Sequence, residues 1–407
     1  MHVVFVEPAF PANQQEFVRG LAAIGAKVIG IGERPVEALP RELKERMVHY
    51  ERVGSVCDDD AMIHAVRWIQ QRAPVGRLEA TVEAHIMTAA RVREACGIPG
   101  TSVRTAFLCR DKPAMKEALR EAGIPCAQST GASSPAEART FAETVGYPLI
   151  FKPRAGAGAA DTYKVTNEEE LEHAISACDL ERGASVAVEE FVEGHEGFYD
   201  TVSIGGQVSH DFVTHYFPNV LEAMRTRWIS PQFVVTNRID TVDDYAQVRE
   251  MGRKVIGALG IETSPTHMEW FFGPKGLRFS EIGCRPPGVG AWDLYCAANE
   301  FDLYAEWALA ICHGRVGRNP SRRYSAGIIA LRPDRDGNIS GYDGIDGIQR
   351  EFGEWIIDAH LPPAGTPTQP VEAGYMANAW VRMRHPNFDT LRSMLNAVGE
   401  RVQVRAQ

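Results

Sequence analysis

The chain has 407 residues, 44% of them hydrophobic and 24% charged, the balance of an ordinary globular protein, and its length predicts roughly two to four lobes. A formal net charge of −10 argues weakly against a nucleic-acid backbone or an anionic membrane as partner, but not against a nucleotide met by local lysines and backbone amides. The first ten residues, MHVVFVEPAF, lack a basic leader, no segment reaches transmembrane length, and the eight cysteines include no C-x-x-C pair. A cytoplasmic protein with reduced thiols and no structural zinc is therefore expected.

Residues 2–7, HVVFVE, read as a strand, 13–24 as a helix with Phe17, Leu21 and Ile24 on one face, and 27–31 as a second strand. Strand, helix, strand makes a parallel α/β unit. Its first turn, Glu7-Pro8-Ala9-Phe10-Pro11, lacks G-x-G-x-x-G, so a dinucleotide site there has little support. Helices at about 58–71 and 83–96 continue the lobe, which ends at Gly97-Ile98-Pro99-Gly100. Residues 105–123 look helical throughout, with Asp111-Lys112-Pro113 able to start a fresh helix. A lysine at a helix N-terminus opposes the dipole, so Lys112 is better explained if it meets an anion.

Residues 148–152 and 163–165 read as strands on either side of RAGAGAA, a loop too glycine-rich for a helix. Close backbone approach beside Lys152 suits a phosphate tail, although the G-K-[ST] of a P-loop is absent. A capped helix at 167–177 precedes the strand SVAVEEFV, 185–192, on which Glu189 and Glu190 must face opposite ways. Such a strand at a join between lobes could offer adenine its backbone edge and one carboxylate. The strand 198–204 follows. Residues 208–239 are rich in aromatic and basic residues with poor periodicity and read as the lining of a substrate entrance. His210, His215, Arg225 and Arg227 are the candidates there, ahead of a helix at 241–259.

Met268-Glu269-Trp270-Phe271-Phe272, the turn Gly273-Pro274-Lys275-Gly276 and LRFSEI form a predicted hairpin. Glu269 and Glu281 lie on its two strands in apolar surroundings, where two carboxylates side by side repel unless a cation joins them. Oxygen ligands of this kind suit Mg²⁺ or Mn²⁺. Arg285, four residues on, offers a planar fork for a carboxylate or a phosphoryl oxygen. A long helix over 291–312, a strand at 323–331, a proline-rich link at 361–370 and a helix at 388–398 complete the chain.

In order, IPGTSVRTAFLCRDKPAMKEALREAGIPCAQS, YPLIFKPRAGAGA, VAVEEFVEG and MEWFF…FSEIGCRPPG resemble the ATP-grasp superfamily, in particular its carboxylate–amine ligase branch, with biotin-carboxylase-like and L-amino acid ligase members. The resemblance implies a multidomain α/β and α+β architecture with the ATP-grasp fold. An N-terminal parallel α/β lobe would span 1–104, and the ATP-grasp domain 105–315. The latter would divide into a glycine-loop lid at about 125–192 and a metal-bearing part at about 193–315, before a small α+β lobe over 316–407.

The same resemblance implies ATP and two Mg²⁺ ions as cofactors, with Mn²⁺ as an alternative. Lys112 and Lys152 would contact the α- and β-phosphates, and the loop carrying Gly156 and Gly158 would close over the transferred phosphate. Glu189 would accept from the adenine amine, Phe191 and Val192 would supply backbone contacts, and Glu196 would hold the ribose hydroxyls. Glu269 and Glu281 would ligate the ions. Arg285, with Lys152, would stabilise the phosphoryl group in transit. The implied reaction makes an acyl phosphate from an amino acid or other small carboxylate, joins it to an amine, and releases ADP and phosphate. Neither nucleic acid nor membrane would be a partner, and relatives are commonly homodimers. Carboxylation through carboxyphosphate is the alternative chemistry, and a catalytically silent nucleotide-binding scaffold the alternative class. Gly283 supports the latter, because many relatives carry there the Asn of E-x-N.

Overall fold

The computed structural model describes residues 1–155, 162–374 and 378–407. Strands β1 (His2–Val6), β2 (Lys27–Gly32), β3 (Met47–Arg52) and β4 (Val75–Glu79) form a parallel sheet in the order β3-β2-β1-β4. Val3, Val4 and Phe5 are all buried, as a strand covered on both faces requires. Strand order reverses between β1 and β4, which opens a crevice at their carboxyl ends. Residues 11–14 and 81–83, in the segments that follow these two strands, line the central cleft of the molecule.

A second sheet has the order β5-β8-β6-β7, from β5 (Ser129–Ala132), β6 (Leu149–Pro153), β7 (Tyr163–Val165) and β8 (Val186–Glu190). Helices Pro135–Val145 and Glu168–Ala177 start at Ser134 and Asn167, whose side chains accept from the amides of Glu137 and Glu170. They pack with Leu149, Phe151 and Val188. Alternation along the strands then turns Ile150, Lys152 and Glu189 the other way, into the cleft.

The largest sheet draws on β9 (His195–Ile204), β10 (Gln207–Phe217), β11 (Gln232–Val235), β12 (Ser264–Gly273), β13 (Gly276–Gly283) and β14 (Ser325–Leu331). Of the later strands, β15 (Ile339–Asp343) pairs with β18 (Gln403–Ala406), while β16 (Ile356–His360) and β17 (Ala379–His385) join the large sheet. Its order is β13-β12-β9-β10-β11-β14-β17-β16. The architecture is the expected mixture of α/β and α+β units. Among the described residues, no helix is long and apolar enough to cross a membrane.

One expectation sharpens and two change. Residues 105–123 fall in two helices, Val103–Leu108 and Lys112–Glu121, the second starting at Asp111-Lys112-Pro113 as expected, where the Asp111 side chain accepts from the Ala114 amide. The helix read over 291–312 is likewise two, Ala291–Asn299 and Leu303–His313. Glu300 takes a left-handed backbone (φ 52°) between them, and Asp302 caps the second. Residues 208–239 include the interior strands β10 and β11. His210, Asp211, Phe212, Val213 and Thr214 are all buried in succession, and burial on both faces erases the two-residue alternation.

Candidate active site

Strands β12 and β13 place Glu269 directly opposite Glu281. Met268 and Trp270 face the core, which sends Glu269 and His267 into the cleft. Facing residues of an antiparallel pair have Cβ atoms about 5 Å apart, close enough for two carboxylates to share a cation. Glu281 Oε2 lies 3.5 Å from Lys112 Nζ and 3.8 Å from Lys152 Nζ. Glu269 Oε1 lies 3.5 Å from the Tyr216 hydroxyl and 3.6 Å from His267 Nε2. Burial opposes ionisation of Glu281, but the Lys112 and Lys152 ammonium groups hold its carboxyl below the usual range.

The lysines are fixed by the elements that carry them. Arg154, just past β6, donates to both carboxylate oxygens of Asp111 at 2.9 Å, and its carbonyl accepts from the Lys112 amide at 3.0 Å. One turn along the same helix, Lys116 approaches Glu189 Oε2 at 2.5 Å, and Lys152 reaches the same oxygen at 2.9 Å. Burial favours the neutral form of Glu189, yet the two ammonium groups hold it down to about 2. Burial pushes Lys116 down to about 8 despite that carboxylate. Sequence reading missed Lys116, although its i, i+4 spacing from Lys112 puts both on one helix face.

Arg285 donates through Nε to Glu83 Oε2 at 2.6 Å and through Nη1 to the Pro286 carbonyl at 2.9 Å. Glu83, which comes from the N-terminal lobe, was also missed. His267 Nδ1 donates to Asp200 Oδ1 at 2.7 Å, and Tyr295 donates to Asp200 Oδ2 at 2.5 Å. Burial disfavours the imidazolium, but Asp200 and Glu269 outweigh it and lift His267 to about 9.

One cleft of about 1250 Å³ is lined by the carboxylates, lysines, Arg285 and His267, with Asp111, Arg154, Asp200 and Tyr295 standing behind them. It brings together Lys112, Lys152, Glu189, Phe191, Val192, Glu196, Glu269, Glu281 and Arg285. Gly156 and Gly158 lie outside the described residues. Arg225 also lines the cleft and donates to the Thr162 carbonyl, whereas Arg227 pairs with Asp336 at 2.7 Å. His210 and His215 do not line it: His215 stacks on His195 and bonds the Tyr245 hydroxyl, and His210 sits 3.6 Å from Glu306. Their place in interior strand β10 removes them from the entrance.

Among the described residues, no group of three or more His, Cys, Asp or Glu side chains is gathered so as to hold a metal ion. Mg²⁺ does not require such a group, since it keeps waters and substrate phosphates and takes one or two carboxylates from the protein. Glu269 and Glu281, opposed on neighbouring strands at the cleft wall, are a donor set that fits such an ion.

Residues 117–301 match the ATP-grasp domain family. The matched stretch, a little under half of the chain, is similar to ATP-grasp domains. It is 28% identical over 248 residues to the L-arginine-specific L-amino acid ligase of Bacillus subtilis, a match covering 60% of this chain and 59% of that one. The chain thus spans less than two thirds of that relative's length. An L-amino acid ligase structure from Bacillus licheniformis superposes with a TM-score of 0.78 at 16% identity, covering 100% of this chain and 98% of the other. The N5-carboxyaminoimidazole ribonucleotide synthetase of Thermotoga maritima gives 0.71 at 16% identity, covering 100% and 99%. At these identities the superpositions show a shared fold.

Within this cleft, Glu196 is buried, and its Oε2 accepts from the Val220 amide at 2.7 Å. Burial, then the Glu269 charge, pushes its carboxyl up to about 8. A folded-state value above the ordinary 4.5 means that the folded protein holds the proton longer than the unfolded one. This contribution to stability is complete below about 4.5 and lost as pH rises through about 8. Urea midpoints of nucleotide-free, metal-free protein are therefore expected to fall across that window. Glu196→Gln should show a shallower fall; an identical pH profile would mean that Glu196 is ionised throughout.

Proposed function

We propose that the chain is an ATP-dependent carboxylate–amine ligase acting on an amino acid or another small carboxylate. ATP would phosphorylate the carboxylate, and an amine would attack the resulting acyl phosphate to give an amide, ADP and phosphate. The observation that carries this reading is the opposed pair Glu269 and Glu281 in a cleft shared with Lys112, Lys116, Lys152 and Arg285. The named activity of the B. subtilis relative supports it.

A carboxylate resists amines because its leaving group would be oxide; phosphorylation supplies a better one. That step needs positioning and charge neutralisation at the phosphoryl oxygens. Lys112 and Lys152 sit where a triphosphate would draw them from Glu281, and Lys152 keeps Glu189 as a counter-charge. Divalent ions held by Glu269 and Glu281 would supply further neutralisation of phosphate charge. Arg285, steadied by Glu83, would receive the carboxylate and later the oxyanion of the amine attack. Tyr216, Leu221, Met224 and Phe233 line the same cleft, an apolar wall that suits an organic acid better than bicarbonate.

Phosphate and ADP release should be measured for amino-acid pairs in the presence of Mg²⁺, with the amide detected by mass. Release that depends on both an organic carboxylate and an amine is expected. Bicarbonate-dependent release without an amine would point to carboxylation, and ATP binding without turnover across a broad panel to a silent protein.

A further inference from the structure

Gly283 has no side chain at the position where the wider family pattern supplies a metal-binding amide. The fold leaves little room for one. A Cβ on Gly283 would stand 3.2 Å from Arg285 Cγ, 3.4 Å from Arg285 Nε and 3.4 Å from Glu83 Oε2. The Arg285–Glu83 ion pair borders that position, so a side chain there would have to press these two aside.

The residue facing Gly283 across the hairpin is His267. It lies two residues before Glu269, on the same face of β12, and its ring lines the cleft. We propose that His267 is a third protein ligand of the divalent ion held by Glu269 and Glu281, reaching it from the strand opposite the vacant position. This inference rests on the ligase reading of the cleft.

Two distances carry it. His267 Nε2 lies 3.6 Å from Glu269 Oε1. Two ligands bound to one ion at about 2.1 Å and near a right angle stand roughly 3 Å apart, so a small closing movement suffices for this pair, while binding itself must draw Glu281 in to complete the three. At the other end of the ring, Nδ1 donates to the buried Asp200 carboxylate at 2.7 Å, and Tyr295 in turn donates to Asp200. A carboxylate behind a histidine fixes the ring and directs Nε2 outward, the arrangement found behind most metal-binding histidines. On binding, the ion replaces the proton at Nε2. An imidazole among the ligands moves preference from Mg²⁺ towards a first-row transition ion that accepts nitrogen and oxygen together, of which Mn²⁺ is the natural probe.

The test is pulsed electron paramagnetic resonance of Mn²⁺ bound with ADP to the full chain, read for coupling to a directly bound ¹⁴N nucleus. Wild type should show imidazole coupling. In His267→Gln the coupling should vanish, and the Mn²⁺ dissociation constant should rise by about tenfold or more. Circular dichroism and metal-free ADP binding check that the variant is folded, and the wild-type spectrum stands without any variant. Mn²⁺ bound with ADP but lacking ¹⁴N coupling, or an unchanged dissociation constant in His267→Gln, overturns the assignment to His267 while leaving the carboxylate pair intact. Absence of any ADP-dependent Mn²⁺ binding overturns both this assignment and the ligase reading beneath it.

Discussion

Glu281→Ala is expected to lower turnover at saturating substrates by about 10²–10³-fold, with ATP affinity changed by less than about tenfold. The asymmetry follows from what surrounds the carboxylate. In the free protein Glu281 is the neighbour of Lys112 and Lys152. Removing it takes one negative charge away from both ammonium groups and from an incoming triphosphate, so ground-state binding is largely preserved. What is lost is one half of the opposed pair with Glu269, and with it the placement of positive charge where the phosphoryl group moves. An interaction needed mainly in the transition state appears in kcat rather than in KM. Calorimetric ATP binding alongside steady-state kinetics separates the two, and equal losses in both would remove the ion-holding role. Glu281→Gln keeps the volume and should behave like the alanine variant if charge is what matters.

The parts of this molecule that could be read from sequence are those fixed by local pattern. The β12–β13 hairpin follows from alternation and a Gly-Pro-Lys-Gly turn, but that turn's register would set Glu269 against Ser280; a one-residue shift between Glu269 and Trp270 brings it opposite Glu281 instead. Asp111 and Asn167 announced helix starts. Glu83 could not be read, because its partner Arg285 lies 202 positions away and only the tertiary fold brings them together. Asp200 was hidden for a similar reason: it sits within a strand, 67 positions from the histidine it holds. Glu300 broke the helix read over 291–312 by taking a left-handed backbone without being glycine, an event that propensity does not register. The entrance assigned to 208–239 failed at His210 and His215 because a strand buried on both faces loses its periodicity.

The second large effect falls on Glu189. One of its oxygens accepts from both Lys116 and Lys152, and all three side chains are buried or nearly so. Its other oxygen, Oε1, is shielded from solvent and makes no hydrogen bond to a described group. Glu189→Ala should therefore destabilise the nucleotide-free protein by about 3–5 kcal/mol, because it leaves buried ammonium charge without its counter-ion. A glutamate whose only part was a hydrogen bond to adenine would leave that stability unchanged, so urea denaturation without nucleotide separates the two roles. The pH dependence adds a sign. In wild type the Glu189 carboxyl is held down to about 2, so its contribution is present above about 4.5 and lost as pH falls towards 2. The variant lacks that acid-side loss. It should instead regain stability as pH rises, since Lys116, already pushed down to about 8 with Glu189 in place, loses its proton in the folded state well before the unfolded chain does near 10.5. A variant whose urea midpoint matches wild type at neutral pH and shows no alkaline recovery would mean that the two lysines find another counter-charge, and that Glu189 serves the nucleotide alone.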